Sequence, residues 1–323
     1  MTAPHGLPVI AIVGATGTGK TALSLDTVEA LGRQGQPAEI INADAMQLYR
    51  GMDIGTAKIT APERRGIPHH LLDVYPVTQE STVADYQQRA RHAISEVHAR
   101  GAIPILVGGS GLYVSAALRT LDFPARSPEL RAALEAELEQ HGAGALYERL
   151  RAVDPDAAAA IDAANSRRVI RALEVNQLTG APFRPGTADA GALWHTPTIT
   201  VGVHCDRDIL VDRLRVRVTQ MWETGLIDEV RGLIPQGLEQ GVTASRAIGY
   251  AQAIAQVRGT MTEQEAIEST TVMTRKYARR QVSWFRRYPD TVWGDAHVPH
   301  RAENIAQEAV ATLRRSAAPP SIR

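Results

Sequence analysis

The sequence predicts an α/β protein, a doubly wound parallel sheet interrupted by an all-helical insertion. Three observations carry that expectation. The apolar run VIAIV at 9–13 passes through GATGTGKT at 14–21 into the helical pattern TALSLDTVEALG. Further short β-branched runs alternate with helical patterns up to residue 122, as buried parallel strands do. From 123 to 196 the period is helical throughout, with no strand candidate.

In chain order, AEIINAD (38–44) is the second strand, followed by a long polar connection. HHLLDVY (69–75) reads as a third short strand, with a helix near 83–100. IPILVGG (103–109) is another buried strand, running through a glycine-rich turn into the helix SGLYVSAALRT. In the insertion, SPELRAALEAELEQHG, ALYERLRAV and SRRVIRALEVNQLTG are helical in period, and the proline-bearing segments FPARSP and PFRPGT bound it. TITVGVHC resumes the sheet, TVWGD is a last strand and NIAQEAVATLRRS a closing helix. The core thus comprises 1–122 and 197–323, and the tail AAPPSIR is expected to be disordered.

With 323 residues and 44% hydrophobic content, the chain can bury a large core. Acidic and basic residues balance at 35 each, so no global field attracts nucleic acid and any basic patch is local. The single cysteine, Cys205, excludes a disulfide framework and a cysteine-based zinc site and points to a reducing cytosol. No stretch reaches the ~18 apolar residues of a membrane helix, and no signal-peptide pattern opens the chain. A cytoplasmic protein is expected. Lys20, Lys58 and Lys276 are the three lysines beside 32 arginines. Lysine persists where a compact, rotatable charge is needed, genome composition being the plain alternative.

GATGTGKT satisfies G-x-x-x-x-G-K-[ST] in full. A strand feeding Gly14, Ala15, Thr16, Gly17, Thr18 and Gly19 aims successive N–H groups at one point, and the following helix adds its positive dipole end. Lys20 reaches outer phosphates and the Thr21 hydroxyl can hold Mg²⁺. A polyphosphate ligand and a P-loop NTPase-like fold follow. Asp44 ends a strand at the crevice edge where open α/β sheets bind ligands. It can bind Mg²⁺ through water, act as a general base, or cap a turn. A plain NTPase places an acid at the end of a second apolar strand. Here IPILV runs into Gly108, Gly109 and Ser110, which favours group transfer. The Ser110 hydroxyl either meets ligand or belongs to a tight turn. AMQLYRGMDIGTAK (45–58) has the length and position of a substrate loop. Among Arg213, Arg215 and Arg217, an arginine could stabilise a departing phosphate, the alternative being a solvated face. His69 and His70 read as structural.

TRKYARRQVSWFRRY (274–288) places six basic residues between 275 and 287 with no acid. At helical spacing Arg275, Arg279 and Arg286 share one stripe and Lys276, Arg280 and Arg287 its neighbour. Tyr277, Trp284 and Tyr288 adjoin them. Basic groups beside aromatics that stack on bases suggest RNA, against a surface helix with a core-facing tryptophan. Arg167, Arg168 and Arg171 form a smaller stripe in the insertion, and two such helices would clamp RNA.

Together these segments resemble the tRNA dimethylallyltransferase (tRNA isopentenyltransferase) family, bacterial type, over nearly the whole chain. The carrying motifs, in family order, are GATGTGKT, DAMQLYRGMDIGTAK, PHHLLD, GGSGLY, SRRVIRALEV, SRAIGY and TRKYARRQVSWFR. The resemblance implies transfer of the dimethylallyl group from dimethylallyl diphosphate to N6 of the adenosine 3′-adjacent to the anticodon, releasing diphosphate. It implies Mg²⁺ at Thr21 and the anticodon stem-loop of tRNA as partner, work for which a monomer suffices. Asp44 matches the family's general base, Ser110 a polar residue beside the reacting centre, and Arg217 an arginine that holds the diphosphate.

Segments that contact tRNA in the family fall on Asp44, Ala45, Met46 and Gln47, on Arg131, and on Arg167, Arg168 and Arg171. Others fall on Arg246, Gly249 and Tyr250, and on Arg275, Lys276, Arg279, Arg280, Gln281, Trp284 and Arg286. Two departures stand out. Asp-Ser is usual where this chain has Asp44-Ala45, and threonine is usual at Ser110, whose lost methyl frees its rotamer. The zinc-finger extension of eukaryotic members has no counterpart. Two rivals remain at this level. A small-molecule kinase with ATP as donor leaves the basic helix unexplained, and an RNA-binding module without chemistry leaves Asp44 unexplained.

Overall fold

Val9, Ile10, Ala11, Ile12 and Val13 are each fully buried, so this strand needs cover on both faces and sits inside a parallel sheet. The structure, a computed structural model, describes residues 6–121, 123, 126–183 and 191–317. In chain order β1 (Val9–Gly14) leads to α1 (Lys20–Arg33), β2 (Ala38–Asn42), β3 (His69–His70), α2 (Val83–Ala99), β4 (Ile103–Gly108) and α3 (Gly111–Leu118). Then come α4 (Pro128–Val153, broken at Gly142), α5 (Pro155–Ala160) and α6 (Ser166–Thr179). The chain continues through β5 (Thr198–His204), α7 (Arg207–Glu223), α8 (Leu226–Leu233), α9 (Tyr250–Val257), α10 (Glu263–Phe285), β6 (Val292–Asp295) and α11 (Arg301–Ala317).

All six strands run parallel in the order β3-β2-β4-β1-β5-β6. Alternate residues of β1 divide between the faces. Ile10 and Ile12 pack with Leu23, Leu31, Ile103 and Ile105 and with Ile305 and Ala309 of α11. Val9, Ala11 and Val13 pack on the other side with Tyr86, Ile94 and Val97 of α2, Val114 of α3 and Phe285 of α10. The helices begin where short polar side chains accept from the first turn. Thr82 takes the Asp85 N–H, and Thr262 and Glu265 form a capping box at the start of α10.

One expected strand is cut short. HHLLDVY joins the sheet only at His69 and His70, with an isolated parallel bridge from Tyr75 to Tyr49, because Leu71 and Asp73 take positive φ angles of 60° and 58° and leave the extended region. Residues 318–323 of the tail, 124 and 125 of FPARSP, and 184–187 of PFRPGT lie outside the described residues. No helix of the described residues is long and apolar enough to cross a membrane.

The chain divides into two units, Met1–Arg119 with Leu193–Arg323, and Thr120–Ala192. An antiparallel bridge between Arg119 and Leu193 marks where the chain leaves and re-enters the first unit, a few residues from the proline-marked limits. The second unit is helical, built on Leu134, Leu146, Leu150, Val169, Ile170 and Leu173.

At the start of β1, the buried His98 and His195 rings lie 4.8 Å apart, each with Nε2 on a backbone oxygen of Pro8 or Leu7. Burial, reinforced by the His195 imidazole, lowers the His98 pKa from 6.5 to about 4. The fold therefore favours neutral His98. Its contribution is intact above pH 6.5 and declines as pH falls toward 4, reaching a loss of about 2 kcal/mol at pH 5. In urea unfolding, the stability gap between the wild type and His98→Gln should narrow on going from pH 7.5 to pH 5. A gap unchanged with pH contradicts this account.

Candidate active site

The carboxyl ends of β1, β2 and β4 open onto one cavity of about 230 Å³. Thr16, Gly17, Gly19, Lys20 and Thr21 line it from the glycine-rich loop, and Asn42 and Asp44 from the end of β2. Gly108 and Gly109 follow β4 there, Arg217 reaches in from α7, and Gln281 from α10. The loop folds on one carbonyl, since Thr18 Oγ1 and Lys20 Nζ both donate to Ala15 O, at 2.9 and 2.6 Å. Gly19 turns the chain into α1 with φ of 92°, a conformation that costs a side-chain-bearing residue about 1 kcal/mol or more. The first N–H groups of α1 thereby face the cavity rim.

Two cations share this space. Burial lowers the Lys20 pKa to about 8, opposed by the attraction of Asp44 and reinforced by Arg217. Burial likewise lowers that of Arg217, with Asp44 opposing. Arg217 Nη1 donates to Thr16 Oγ1 at 3.3 Å and Nη2 to Thr56 O at 3.4 Å. Asp44 is held at both ends. Its N–H donates to Asn42 Oδ1 at 2.9 Å, and its Oδ1 accepts from Met46 N at 3.0 Å. Asn42 Nδ2 also donates to Asp44 O and Leu71 O. Asp44 thus shapes its turn and still presents a carboxylate to the cavity.

Ser110 sits behind this carboxylate and is not part of the cavity wall. Its Oγ accepts from Ala45 N at 3.1 Å and lies 3.4 Å from the Tyr277 hydroxyl, so it fixes the residue after Asp44. His70 is structural, with Nε2 2.6 Å from Glu39. His69, expected to be structural too, does line the cavity, its Nδ1 held 2.8 Å from Ile67 O.

The 45–58 connection is pinned from below. The buried Lys58 ammonium donates to Tyr49 O, Asp53 Oδ1 and Asp73 Oδ1 at 2.7, 2.7 and 2.6 Å. Glu229 accepts from Asp53 N and Ile54 N, and from the Tyr250 hydroxyl at 2.5 Å. Gln47, Thr56 and Ala57 of this loop reach the cavity. Tyr250 is fully buried, so its ring cannot meet RNA, and Gly249 is buried beside it, whereas Arg246 is exposed.

On α10 the arginine stripes face outward, with Arg275, Lys276, Arg279 and Arg280 exposed, as are Arg286 and Arg287 just beyond it. Arg280 lies over the half-buried Tyr277 ring at 5.8 Å and Arg287 over the half-buried Trp284 ring at 4.4 Å, while the polar atoms of the aromatics turn inward. Trp284 Nε1 donates to Ser115 Oγ and the Tyr288 hydroxyl, Tyr288 is buried, and Tyr277 turns its hydroxyl to Ser110. Gln281, grouped by sequence with RNA contacts, is buried on the inner face. Its one sequence signal was a polar residue between the inward Ala278 and Phe285. Arg213 and Arg215 are exposed. In the second unit Arg167 and Arg168 are exposed, Arg171 pairs with the buried Glu174 at 2.7 Å, and Arg131 with Glu135 at 2.9 Å.

A strand-to-helix loop, two half-buried cations and one carboxylate around a single cavity define an anion-handling α/β protein of P-loop NTPase-like fold. No acid follows β4. The IPP transferase family model matches residues 47–288, and the chain belongs to that family. It is 58% identical over 306 residues to the tRNA dimethylallyltransferase of Clavibacter sepedonicus, covering 95% of this chain and 98% of that one. It is 53% identical over 305 residues to the tRNA dimethylallyltransferase of Thermobifida fusca, covering 94% of each. Among solved structures it is similar to the tRNA isopentenylpyrophosphate transferase of Bacillus halodurans (TM-score 0.68, 39% identity, 96% of this chain and 97% of that one). It is also similar to a eukaryotic dimethylallyltransferase acting on tRNA, with a TM-score of 0.77, 26% identity and coverage of 98% and 81%.

Lys20 carries its charge below about pH 8 and loses it above. Calorimetric affinity for inorganic diphosphate should therefore weaken as pH passes 8 in the wild type. In Lys20→Arg, whose guanidinium stays charged, it should show no such decline. Parallel pH curves for the two proteins would contradict the assignment.

Proposed function

We propose that this chain transfers the dimethylallyl group of dimethylallyl diphosphate to N6 of the adenosine 3′-adjacent to the anticodon in tRNA. The observation that carries the reading is the placement of Asp44 in one cavity with Lys20 and Arg217. An allylic diphosphate reacts by separating charge, so the main demand is a prepared home for the departing anion. The bond between C1 of the donor and the ester oxygen on its α-phosphate breaks, and the diphosphate departs with that oxygen toward Lys20, Arg217 and the N–H groups that open α1. The bond between N6 and C1 forms, and the N6 proton passes to the Asp44 carboxylate. The small cavity excludes water that would otherwise trap the allyl group.

Among the described residues no group of three or more His, Cys, Asp or Glu side chains could cage a metal, while Thr21 and Asp44 both line the cavity. That donor set fits Mg²⁺ bound chiefly through phosphate oxygens. Thr21 would hold the ion, which supplies charge to neutralise the diphosphate.

The exposed arginines of α10 track the tRNA phosphates, joined by Arg246 and, from the helical unit, by Arg167 and Arg168. The target adenine leaves its stack to enter the cavity. All the reacting groups come from one chain, so a monomer working in the cytoplasm suffices. The kinase reading accounts for the loop and Asp44 but gives the basic helix no task, and the relatives do not favour it.

Incubation with Mg²⁺, labelled dimethylallyl diphosphate and unmodified tRNA, beside a parallel ATP reaction, tests the reading. Label in tRNA at the adenosine next to the anticodon supports it, and ATP turnover without prenyl transfer sinks it. Asp44→Asn should lower the transfer rate by about 10²- to 10⁴-fold while tRNA affinity holds within about twofold. Near-wild-type transfer by that variant would remove Asp44 as the base. Replacing Arg279 and Arg280 together by Ala should weaken tRNA binding. It should also flatten the slope of log affinity against log salt by about 1.5, as measured by filter binding.

A further inference from the structure

Gln281 is 4% exposed, and both ends of its amide are used. Its Oε1 accepts from Thr16 N at 2.9 Å, and its Nε2 donates to Gly109 O at 2.9 Å. One neutral side chain therefore ties the phosphate loop to the turn after β4. That approach depends on glycine. A Cβ on Gly109 would stand 2.3 Å from Gln281 Nε2, and one on Gly111 would stand 2.4 Å from the Trp284 ring. The helix is thus seated on the Gly-Gly-Ser-Gly turn at two points one helical turn apart.

The residue that Gln281 grips has a second role. Thr16 Oγ1 accepts from Arg217 Nη1, so the N–H held by Gln281 and the hydroxyl that steadies Arg217 belong to the same residue. Glutamine is suited to this place, because it offers an acceptor oxygen and a donor NH₂ group without adding charge beside Lys20 and Arg217. An apolar side chain would leave the Thr16 N–H and the Gly109 carbonyl unpartnered in a largely buried site.

We propose that Gln281 is a positioning residue. It fixes Thr16, and through Thr16 the Arg217 guanidinium, in the geometry that receives the diphosphate, and it does so from the helix whose outer face carries Arg275, Arg279 and Arg280. The identity of the donor and of the RNA rests on the reading under Proposed function; the tie between helix and loop does not.

Two variants test this. Gln281→Met keeps the length of the side chain and removes both hydrogen bonds. Its KM for dimethylallyl diphosphate, and its inhibition constant for inorganic diphosphate, should rise about tenfold or more, while its dissociation constant for tRNA stays within twofold. Gln281→Glu keeps the acceptor for Thr16 N–H and regains a donor to Gly109 O only when protonated. Its kcat/KM, taken as a ratio to the wild type at each pH, should therefore climb as pH falls from 8 to 5.5. Lys20, Arg217, Asp44 and Tyr277 are the titratable and charged groups around this position, and taking the ratio to the wild type sets aside the pH dependence common to both proteins.

Wild-type donor KM in Gln281→Met overturns the proposal, as does an equal loss of tRNA affinity, which would mean that the whole helix has shifted. If Gln281→Met fails to fold, the pH profile of Gln281→Glu decides, and a flat ratio overturns it. A wild type that transfers no prenyl group sinks the functional reading instead, and the diphosphate constants still judge Gln281.

Discussion

The structure depends on holding more positive than negative charge inside a small cavity. Lys20 and Arg217 are both driven toward neutrality by burial, and Asp44 is the carboxylate whose attraction opposes that loss. Such an arrangement is costly without an anion and favourable with one, because desolvated charges interact strongly once paired. Parallel topology makes it possible. β1 ends in the loop, β2 ends two residues before Asp44, and the helix after β5 returns Arg217 to the same edge of the sheet. A one-strand change in order would separate these groups.

Holding that charge in place falls largely to residues that carry no chemistry of their own. Lys58 anchors the loop after Asp44 through two carboxylates and a carbonyl, and Glu229 anchors it from α8 through two backbone N–H groups. Ser110 holds Ala45, and Gln281 holds Thr16. Apart from the two carboxylates on Lys58, each partner is a backbone group in the phosphate loop or the connection after β2. The polar contacts therefore set main-chain positions, from which the reactive side chains take their geometry. α10 contributes on both faces, with a neutral amide inward and a field of arginines outward.

Much of this was legible in the sequence. β1 and β4 appear as short apolar runs because strands buried on both faces are apolar nearly throughout, and β2 and β5 keep apolar stretches where they are buried. The glycine-rich loop has a local signature because its conformation is local. The place of Asp44 on the cavity was legible as well, since it lies just past the carboxyl end of a strand at the ligand edge. What was hidden depends on contacts between residues far apart in the chain. Nothing near HHLLDVY announces that Leu71 and Asp73 turn to positive φ. Tyr277, Trp284 and Tyr288 share a helical stripe, but only packing against Ser110, Gly111 and Ser115 shows that their polar atoms turn inward. The burial of Tyr250 and Gln281 was hidden for the same reason, since they are polar groups on buried faces whose partners lie 21 and 172 residues or more away.

The central claim is that Lys20, Arg217 and the start of α1 form one receptor for diphosphate beside Asp44. An electron-density map of crystals soaked with inorganic diphosphate tests it most directly. The account predicts density for two phosphate groups in the cavity, within hydrogen-bond reach of Lys20 Nζ, the Arg217 guanidinium and the N–H groups of Gly19 to Thr21, with the Asp44 carboxylate left open. Diphosphate bound elsewhere, or bound in this cavity with Arg217 turned away, would contradict it.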